Sequence, residues 1–569
     1  MFLPWIGQAP FSTRGEPREA LVAQAMVVTG EWVLPRGYGD DVPSKPPFMH
    51  WVSAGVSQIV GGVSEFTARF PSACGAIVFA LAFYLFLTPR CGERRAFVTI
   101  VVLTTSLEWF RAATICRVDM TLSALLAGAL LLLFRWSERG LGGAPWSAIL
   151  LLIGATLTKG PVSIVLPGLI FAAYLISKGE SLVRVATRGL LVGVPVLMGA
   201  GLWYLLAYRE GGAEFIAKVW YENVDRFAGT IEDKPHAHSA FYLYLTVFIG
   251  FIPWTVFLLP TIVRRGVAAV RGGISFARLR QGFGALTDFE RFALLVVLGF
   301  LIFFSMPTSK RGVYLLPAYP FIAFWVSGLI ERWVTAVVWR RSARVFAGVV
   351  LSLCGVIAAY RFDALDLGAV IKKPNALFDA TFYATHLAGI DFMTVGPSFL
   401  LVVGLIVGAA WVFCFPPAAR GEALAGFRVV AGLVLGLYLV AQAVVVPAVT
   451  RPLSLERVAR DIAPLVPSEA KLYSHATEFY GVSFYLGREI YRATRPLEAG
   501  ARVLVLERNR ARLAEVLSPG QTTAVVFTSP YGVVKPRDRV TVVEVQGEGT
   551  AGDATLAPRG AVGSTDEEE

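Results

Sequence analysis

The chain reads as an all-α polytopic membrane protein, a bundle of about 12 to 13 transmembrane helices followed by a small α/β extracytoplasmic C-terminal domain. Three observations predict this. Hydrophobic residues fill 55% of the 569 positions and charged residues 16%, more apolar surface than a water-soluble core can hide. Stretches of roughly 20 apolar residues, the length that crosses a hydrocarbon layer, recur from residue 68 to residue 448. After residue 449 the hydropathy drops and short β-rich and helical runs alternate.

Apolar runs interrupted by charge or by Pro and Gly place the spans near 68–88, 96–112, 119–135, 144–158, 161–177, 187–208, 239–263, 289–306, 312–332, 343–361, 394–416 and 426–448. Alternate loops then separate by charge. One set carries Arg90, Arg94 and Arg95; Arg135 and Arg139; Lys178, Arg184 and Arg188; the arginines of 264–280; Arg340, Arg341 and Arg344; and Arg420 and Arg428. The excess of Lys and Arg puts these loops in the cytoplasm. Residues 1–67, 112–118, 159–160, 209–238, 307–311, 362–393 and everything after 449 then fall outside.

The domains follow: 1–67 is an extracytoplasmic juxtamembrane loop, 68–448 the helix bundle, 449–546 a small α/β domain, and 547–569 a disordered acidic tail. Within the third, a helix is expected at 455–466, strands at 501–506 and 522–527, and a helical stretch at 508–517. Met1-Phe2-Leu3-Pro4-Trp5 reads as the end of an apolar segment, so a helix is expected ahead of it. The net charge of +11 is spread over short loops and forms no nucleic-acid-binding block. The five cysteines form no C-x-x-C pattern, so neither a zinc knuckle nor a disulfide framework is indicated.

The outside segments carry the residues capable of chemistry. The first contains Thr13-Arg-Gly-Glu16-Pro-Arg18-Glu19, in which Thr13 and Glu16 also have the spacing of a helix capping box, and Ser44-Lys45-Pro46-Pro47. Asp119 follows Arg117 at the outer end of two adjacent spans, where it either caps the helix that starts at Met120 or faces a cavity or partner. Thr158-Lys159-Gly160-Pro161 breaks two short apolar runs. Tyr221–Phe227 holds Glu222 and Arg226, and His236-x-His238 follows, an arrangement that either solvates or holds a metal ion. Lys310 and Arg311, just before Tyr314, stand on the side that the charge rule keeps poor in cations, which points to an anionic ligand. Five separate outside segments thus send cations and carboxylates to one membrane face. A transporter would place such groups near the bilayer midplane, within broken helices.

These motifs carry a family resemblance. Gly-Glu16-Pro-Arg18-Glu-Ala, Gly-Glu-Trp-Val-Leu-Pro-Arg, Ser-Lys45-Pro-Pro-Phe-Met-His-Trp, Glu65-x-x-x-Arg69-x-Pro71, Arg117-Val-Asp119-Met, Thr-Lys159-Gly, Glu222-Asn-x-x-Arg226-Phe, Ile252-Pro-Trp and Ser-Lys310-Arg311-Gly-Val-Tyr314 occur in order over about residues 15–320. The run resembles the aminoarabinose transferase and protein O-mannosyltransferase superfamily, membrane glycosyltransferases of the GT-C fold. The resemblance implies transfer of a sugar from a polyprenyl-phosphate donor to a lipid, glycan or protein acceptor at the outer face of the inner membrane. Similar enzymes carry an Asp-Glu pair in the first outer loop, where Gly15 here takes the Asp position. Members that bind a metal ion use a carboxylate where this chain has Ser44. A divalent metal ion therefore stays open as a cofactor, with His236 and His238 as candidate ligands.

On this reading Glu16 and Asp119 are the candidate catalytic carboxylates, one of them taking the acceptor's proton. Arg18, Lys45, Lys159, Arg226, Lys310, Arg311 and Tyr314 are the candidate substrate-binding residues, their cations meeting the negative charge that grows on the departing lipid phosphate. Direct attack by the acceptor would invert the anomeric centre. Two alternatives stay open: a transporter or flippase for a lipid-linked sugar, and a non-catalytic relative that keeps the binding scaffold.

Overall fold

The computed structural model describes residues 1–38, 42–43, 45–225, 238–271, 276–390, 398–415, 423–493 and 497–547. Ser44, Arg226 and His236 lie outside the described residues, as does the expected tail from residue 548.

Two helices precede the bundle. Helix α1 (Gly15–Thr29) ends on Gly30, which takes φ 76 so that its N–H can bond Met26 O at 3.1 Å. Thr13 Oγ1 accepts the Glu16 N–H at 3.3 Å, giving half of the capping box, while the Glu16 carboxylate turns elsewhere. Helix α2 (Phe48–Val60) packs on α1, and the loop between them is pinned by indole N–H groups: Trp51 donates to Trp32 O at 2.8 Å and Trp203 to Val33 O at 2.9 Å.

The bundle follows as α3 (Glu65–Thr104), α4 (Leu107–Ala113), α5 (Val118–Glu138), α6 (Trp146–Lys159), α7 (Val162–Ser177), α8 (Leu182–Trp220), α9 (Ala240–Gly250), α10 (Trp254–Arg271), α11 (Phe276–Gly284), α12 (Asp288–Ser305), α13 (Tyr319–Trp333) and α14 (Ala336–Arg361). After α15 (Leu367–Val370) and α16 (Pro374–Ala388), it closes with α17 (Ser398–Cys414) and α18 (Ala423–Val440). Among the described residues, six helices are long and apolar enough to cross a membrane, with shorter apolar helices such as α6, α7 and α17 between them. The chain is therefore a multi-pass membrane protein. Helix α3 breaks at Gly92, whose φ of 81 and ψ of 156 suit glycine, so the span expected at 68–88 is its first limb and the span expected at 96–112 is its second limb together with α4. The single span expected at 239–263 is two helices, α9 and α10, parted at Ile252-Pro253, where proline interrupts the hydrogen-bond ladder.

Charged residues mark the two ends of the bundle. At one end Arg90 pairs with Glu138, Arg95 and Arg332 reach Glu290 at 3.6 and 3.7 Å, and Lys178 meets Asp288 at 3.1 Å. These residues come from loops or loop-flanking helix ends of the Arg-rich set. At the opposite end stand Glu16, Lys45, Asp119, Lys159 and Arg311. For these loops, the residues that the charge pattern groups together meet at one end of the fold.

Helix α18 continues through residues 441–445 into α19 (Val446–Thr450) as one span. The chain then forms α20 (Leu455–Ile462) and α21 (Tyr480–Leu486) with a sheet of β1 (Leu472–Ser474), β2 (Ile490–Arg492), β3 (Arg502–Leu506), β4 (Thr522–Thr528) and β5 (Val540–Gln546), in the order β2-β1-β3-β5-β4. Strands β2, β1 and β3 are parallel, and β5 runs antiparallel to both β3 and β4. The expected helix at 508–517 is a 3-10 helix, Glu507–Glu515. The sheet docks on the outer segment. Phe11, Leu21, Tyr38, Met49 and Val118 share one apolar cluster with Val458, Val482, Phe484, Leu504 and Val542. Tyr38 Oη donates to Ser474 Oγ at 3.0 Å and accepts the Phe479 N–H at 3.2 Å, while Tyr485 Oη donates to Glu65 Oε1 at 2.7 Å.

Candidate active site

Asp119 lies in the first turn of α5, whose N-cap is Arg117, so its carboxylate does not cap the helix. It reaches instead to the last residue of α6, where Lys159 Nζ donates to Asp119 Oδ1 at 2.5 Å. Among the described residues, Lys159 is the group hydrogen-bonded to this carboxylate. The ammonium sits over the Tyr314 ring, 4.6 Å from its centroid, and the charges of Arg117 and Arg311 also act on Asp119. Three segments distant in sequence, around residues 117–119, 159 and 311–314, thus meet at one point.

Gly160 fixes the approach. Its φ of 91 and ψ of −162 lie where side chains do not go, and a Cβ there would stand 2.8 Å from Asn223 Oδ1 and 3.4 Å from the Tyr204 hydroxyl. The next residue back, Glu222, accepts from Lys45 Nζ at 2.7 Å. The Lys45–Glu222 and Lys159–Asp119 pairs therefore adjoin through Asn223 and Gly160. Glu222, Asn223 and Tyr204 were not among the candidate residues from sequence. Glu222 and Asn223 stand in a quoted motif, but nothing in their spacing tells which cation they face.

Glu16 is placed differently from Asp119. It is 0% exposed, and both its oxygens are occupied: Oε1 accepts from Arg69 Nε at 2.7 Å and the Cys116 N–H at 3.1 Å, and Oε2 from Arg69 Nη2 and the Ser12 N–H, each at 3.2 Å. Burial alone would raise its pKa. The Arg69 charge and these hydrogen bonds outweigh burial and hold the carboxyl below the usual range. Arg69 spends its remaining donors on the carbonyls of Ile6, Ala9 and Pro10. In this geometry Glu16 ties the start of α1 to α3.

Arg18 turns to Glu19, with Nη2 to Oε1 at 2.9 Å, and Glu19 Oε2 bonds His50 Nε2 at 2.8 Å, joining α1 to α2. The buried Glu19 would have a raised pKa from desolvation, yet Arg18 and His50 hold it well below the usual carboxylate range. Lys310 is buried and donates to its own loop at Pro307 O, 2.5 Å away. His238 stacks on Tyr242, ring centroids 4.0 Å apart, and its N–H bonds Thr308 O at 3.4 Å. Among the described residues, no group of three or more His, Cys, Asp or Glu stands together as a metal-ligand set. Gly15 lies under Arg117, whose Nη2 would be 2.6 Å from a Cβ at this position. A guanidinium thus occupies the room that a side chain at position 15 would need.

A family model described as dolichyl-phosphate-mannose-protein mannosyltransferase matches residues 44–203, which hold Lys45, Asp119 and Lys159. The crystal structure of ArnT from Cupriavidus metallidurans bound to undecaprenyl phosphate superposes with a TM-score of 0.68, covering 95% of each chain at 21% identity. The chain has the GT-C fold. Curated relatives agree in kind. The undecaprenyl phosphate-alpha-4-amino-4-deoxy-L-arabinose arabinosyl transferase of Shewanella sediminis is 27% identical over 56% of this chain and 55% of its own. A protein of that name numbered 2, from Proteus mirabilis, is 26% identical over 53% of this chain and 52% of its own. The chain spans about half the length of these relatives in the matched region. Both likenesses are to ArnT-type proteins.

Proposed function

We propose that this ArnT-like chain is a membrane glycosyltransferase that moves a sugar from a polyprenyl-phosphate donor to a lipid, glycan or protein acceptor, at the periplasmic face of a bacterial inner membrane. The observation that carries this reading is the convergence of Asp119, Lys159, Arg117, Arg311 and Tyr314 beside the Lys45–Glu222 pair, at the bundle end opposite the Arg-rich loops.

The reaction breaks the bond between the anomeric carbon and the phosphate oxygen and leaves a lipid phosphate. Lys45, Lys159, Arg226 and Arg311 are the groups that would neutralise the leaving oxygen, with Lys310 shaping the loop that presents Arg311. When phosphate draws Lys159 toward itself, the Asp119 carboxylate is released to accept the proton of the attacking hydroxyl or amine. The same carboxylate stabilises an oxocarbenium-like transition state. Attack from the face opposite the phosphate inverts the anomeric centre. Glu16, Arg18 and Glu19 act on this reading through position, by holding α1 against α3 and α2 so that Lys45 stays in place.

The test is transfer of radiolabel from a polyprenyl-phosphate sugar by the purified chain. The proposal predicts label in an acceptor for the wild type and loss of most of it for Asp119→Asn. Full transfer by that variant removes Asp119 from the mechanism, and absence of any transfer or donor binding by the wild type removes the activity.

A further inference from the structure

The C-terminal sheet changes the direction of its connections at β1. Strands β2, β1 and β3 are parallel with β1 in the middle, so the chain leaves β1 toward one side of the sheet and β3 toward the other. The packing records this. Helix α21, which follows β1, packs through Val482 and Phe484 on the face holding Leu504, Leu506 and Val542. The 3-10 helix that follows β3 packs through Leu513 on the opposite face, with Val503, Val505 and Val543. Where neighbouring parallel strands send their connections to opposite faces, a crevice opens at their carboxyl ends, and open α/β sheets bind ligands there.

The residues at that point are polar, and three have partners beside the gap: Glu515 accepts from Arg512 at 3.0 Å, Glu478 pairs with Arg492 at 3.3 Å, and Thr477 Oγ1 donates to Ala476 O at 2.8 Å. After β1 come His475, Ala476, Thr477 and Glu478; on the β3 side stand Asn509 and Glu515. The two contacts that span the gap are long: Asn509 Nδ2 to Thr477 Oγ1 at 3.5 Å, and His475 Nε2 to Glu515 Oε2 at 3.5 Å. The His475 side chain is 10% exposed, and its buried Nε2 has no partner in hydrogen-bond geometry among the described residues. Ala476 is held at φ 58, a left-handed conformation that a residue with a Cβ adopts at a cost. An imidazole, a hydroxyl, a carboxamide and carboxylates converge on one gap, and together they suit a ligand dense in hydroxyl groups. The gap also adjoins the outer segment that carries Lys45, because Tyr38 is bonded to both Ser474 and Phe479.

We infer that this crevice, lined by His475, Thr477, Glu478, Asn509 and Glu515, binds the carbohydrate part of the acceptor and presents it to the membrane-end site. The inference rests on the proposed transfer reaction for its purpose, though not for its chemistry.

The experiment uses the full chain in lipid nanodiscs and saturation-transfer NMR with two kinds of probe: free glucose, N-acetylglucosamine and glucuronate, and the octyl glycoside of glucose anchored in the bilayer. Binding of undecaprenyl phosphate is measured on the same samples. At least one saccharide is expected to receive saturation, and Thr477→Val and Asn509→Ala are each expected to weaken that sugar's binding about tenfold while leaving undecaprenyl phosphate binding unchanged. Saturation of the anchored probe alone would assign a glycolipid headgroup; saturation of free sugars as well would assign the glycan itself. Saturation of no sugar, or equal saturation in wild type and both variants, overturns the inference. Loss of undecaprenyl phosphate binding in the wild type would instead overturn the proposed transferase, whatever the sugars do.

Discussion

Replacing Arg69 by Met would show what Glu16 does. The Glu16 carboxylate is 0% exposed and the Arg69 side chain 4%, and two hydrogen bonds of 2.7 and 3.2 Å join them. Arg69→Met leaves that carboxylate buried without its counter-ion and strips a donor from the carbonyls of Ile6, Ala9 and Pro10. Breaking a buried pair from one side costs about 3–5 kcal/mol, because the remaining charge is uncompensated. Glu16→Gln leaves Arg69 in the same position from the other side. The double replacement removes both charges and should cost less than the sum of the two, by about 0.5–3 kcal/mol. Titration with SDS in mixed micelles gives the three stabilities against wild type. The pH dependence has a definite sign. The folded carboxyl titrates below its unfolded value of about 4.3, so its contribution is complete above that pH and is lost as the pH falls through the folded value. The gap between wild type and Glu16→Gln should therefore be constant near neutrality and close in acid. Strict additivity, or a cost below about 1 kcal/mol for Arg69→Met, would refute the assignment of this pair as the tie between α1 and α3.

Other outcomes follow from the site. Lys45→Ala should weaken polyprenyl phosphate binding about tenfold, read by thermophoresis, since it removes a charge-assisted contact; an unchanged affinity moves the phosphate elsewhere. Gly160→Ala forces a Cβ to within 2.8 Å of Asn223 Oδ1 at a φ of 91, and should cost about 1–3 kcal/mol and displace Lys159, seen as lowered transfer together with a lowered melting temperature. Tyr38→Phe removes the bonds to Ser474 and Phe479, so amide hydrogen exchange across 472–480 should quicken while the bundle helices keep their protection. If exchange there is unaltered, the tyrosine does not secure the sheet domain.

Much of the bundle was legible because membrane helices declare themselves locally: 20 apolar residues and the sign of a loop's charge suffice. Breaks within spans were less so. Gly92 stands among Arg90, Glu93, Arg94 and Arg95, so charge marks that break, whereas Ile252-Pro253 sits inside an apolar run and only the fold shows that it parts two helices. Strands β1 and β2, three residues each, are too short to display alternation, and β5 is buried on both faces over Val540–Val543, which hides its period. In the site, Asp119 and Lys159 were singled out separately, but 40 positions separate them and nothing local says that they pair. Glu16 illustrates the converse. Its partner Arg69 stood in view as part of a motif, yet sequence cannot reveal that both carboxylate oxygens are already taken.

The central claim is that the Asp119–Lys159 end of the bundle performs sugar transfer from a polyprenyl phosphate. Incubating the purified chain with a radiolabelled polyprenyl-phosphate sugar and membranes from cells lacking the gene tests it most directly. The account predicts that label moves into a lipid, glycan or protein fraction with wild type, and that Asp119→Asn abolishes most of the movement while its helical content and melting temperature stay near wild type. Label that stays on the polyprenyl phosphate with wild type, or moves equally with the Asp119→Asn protein, would contradict it.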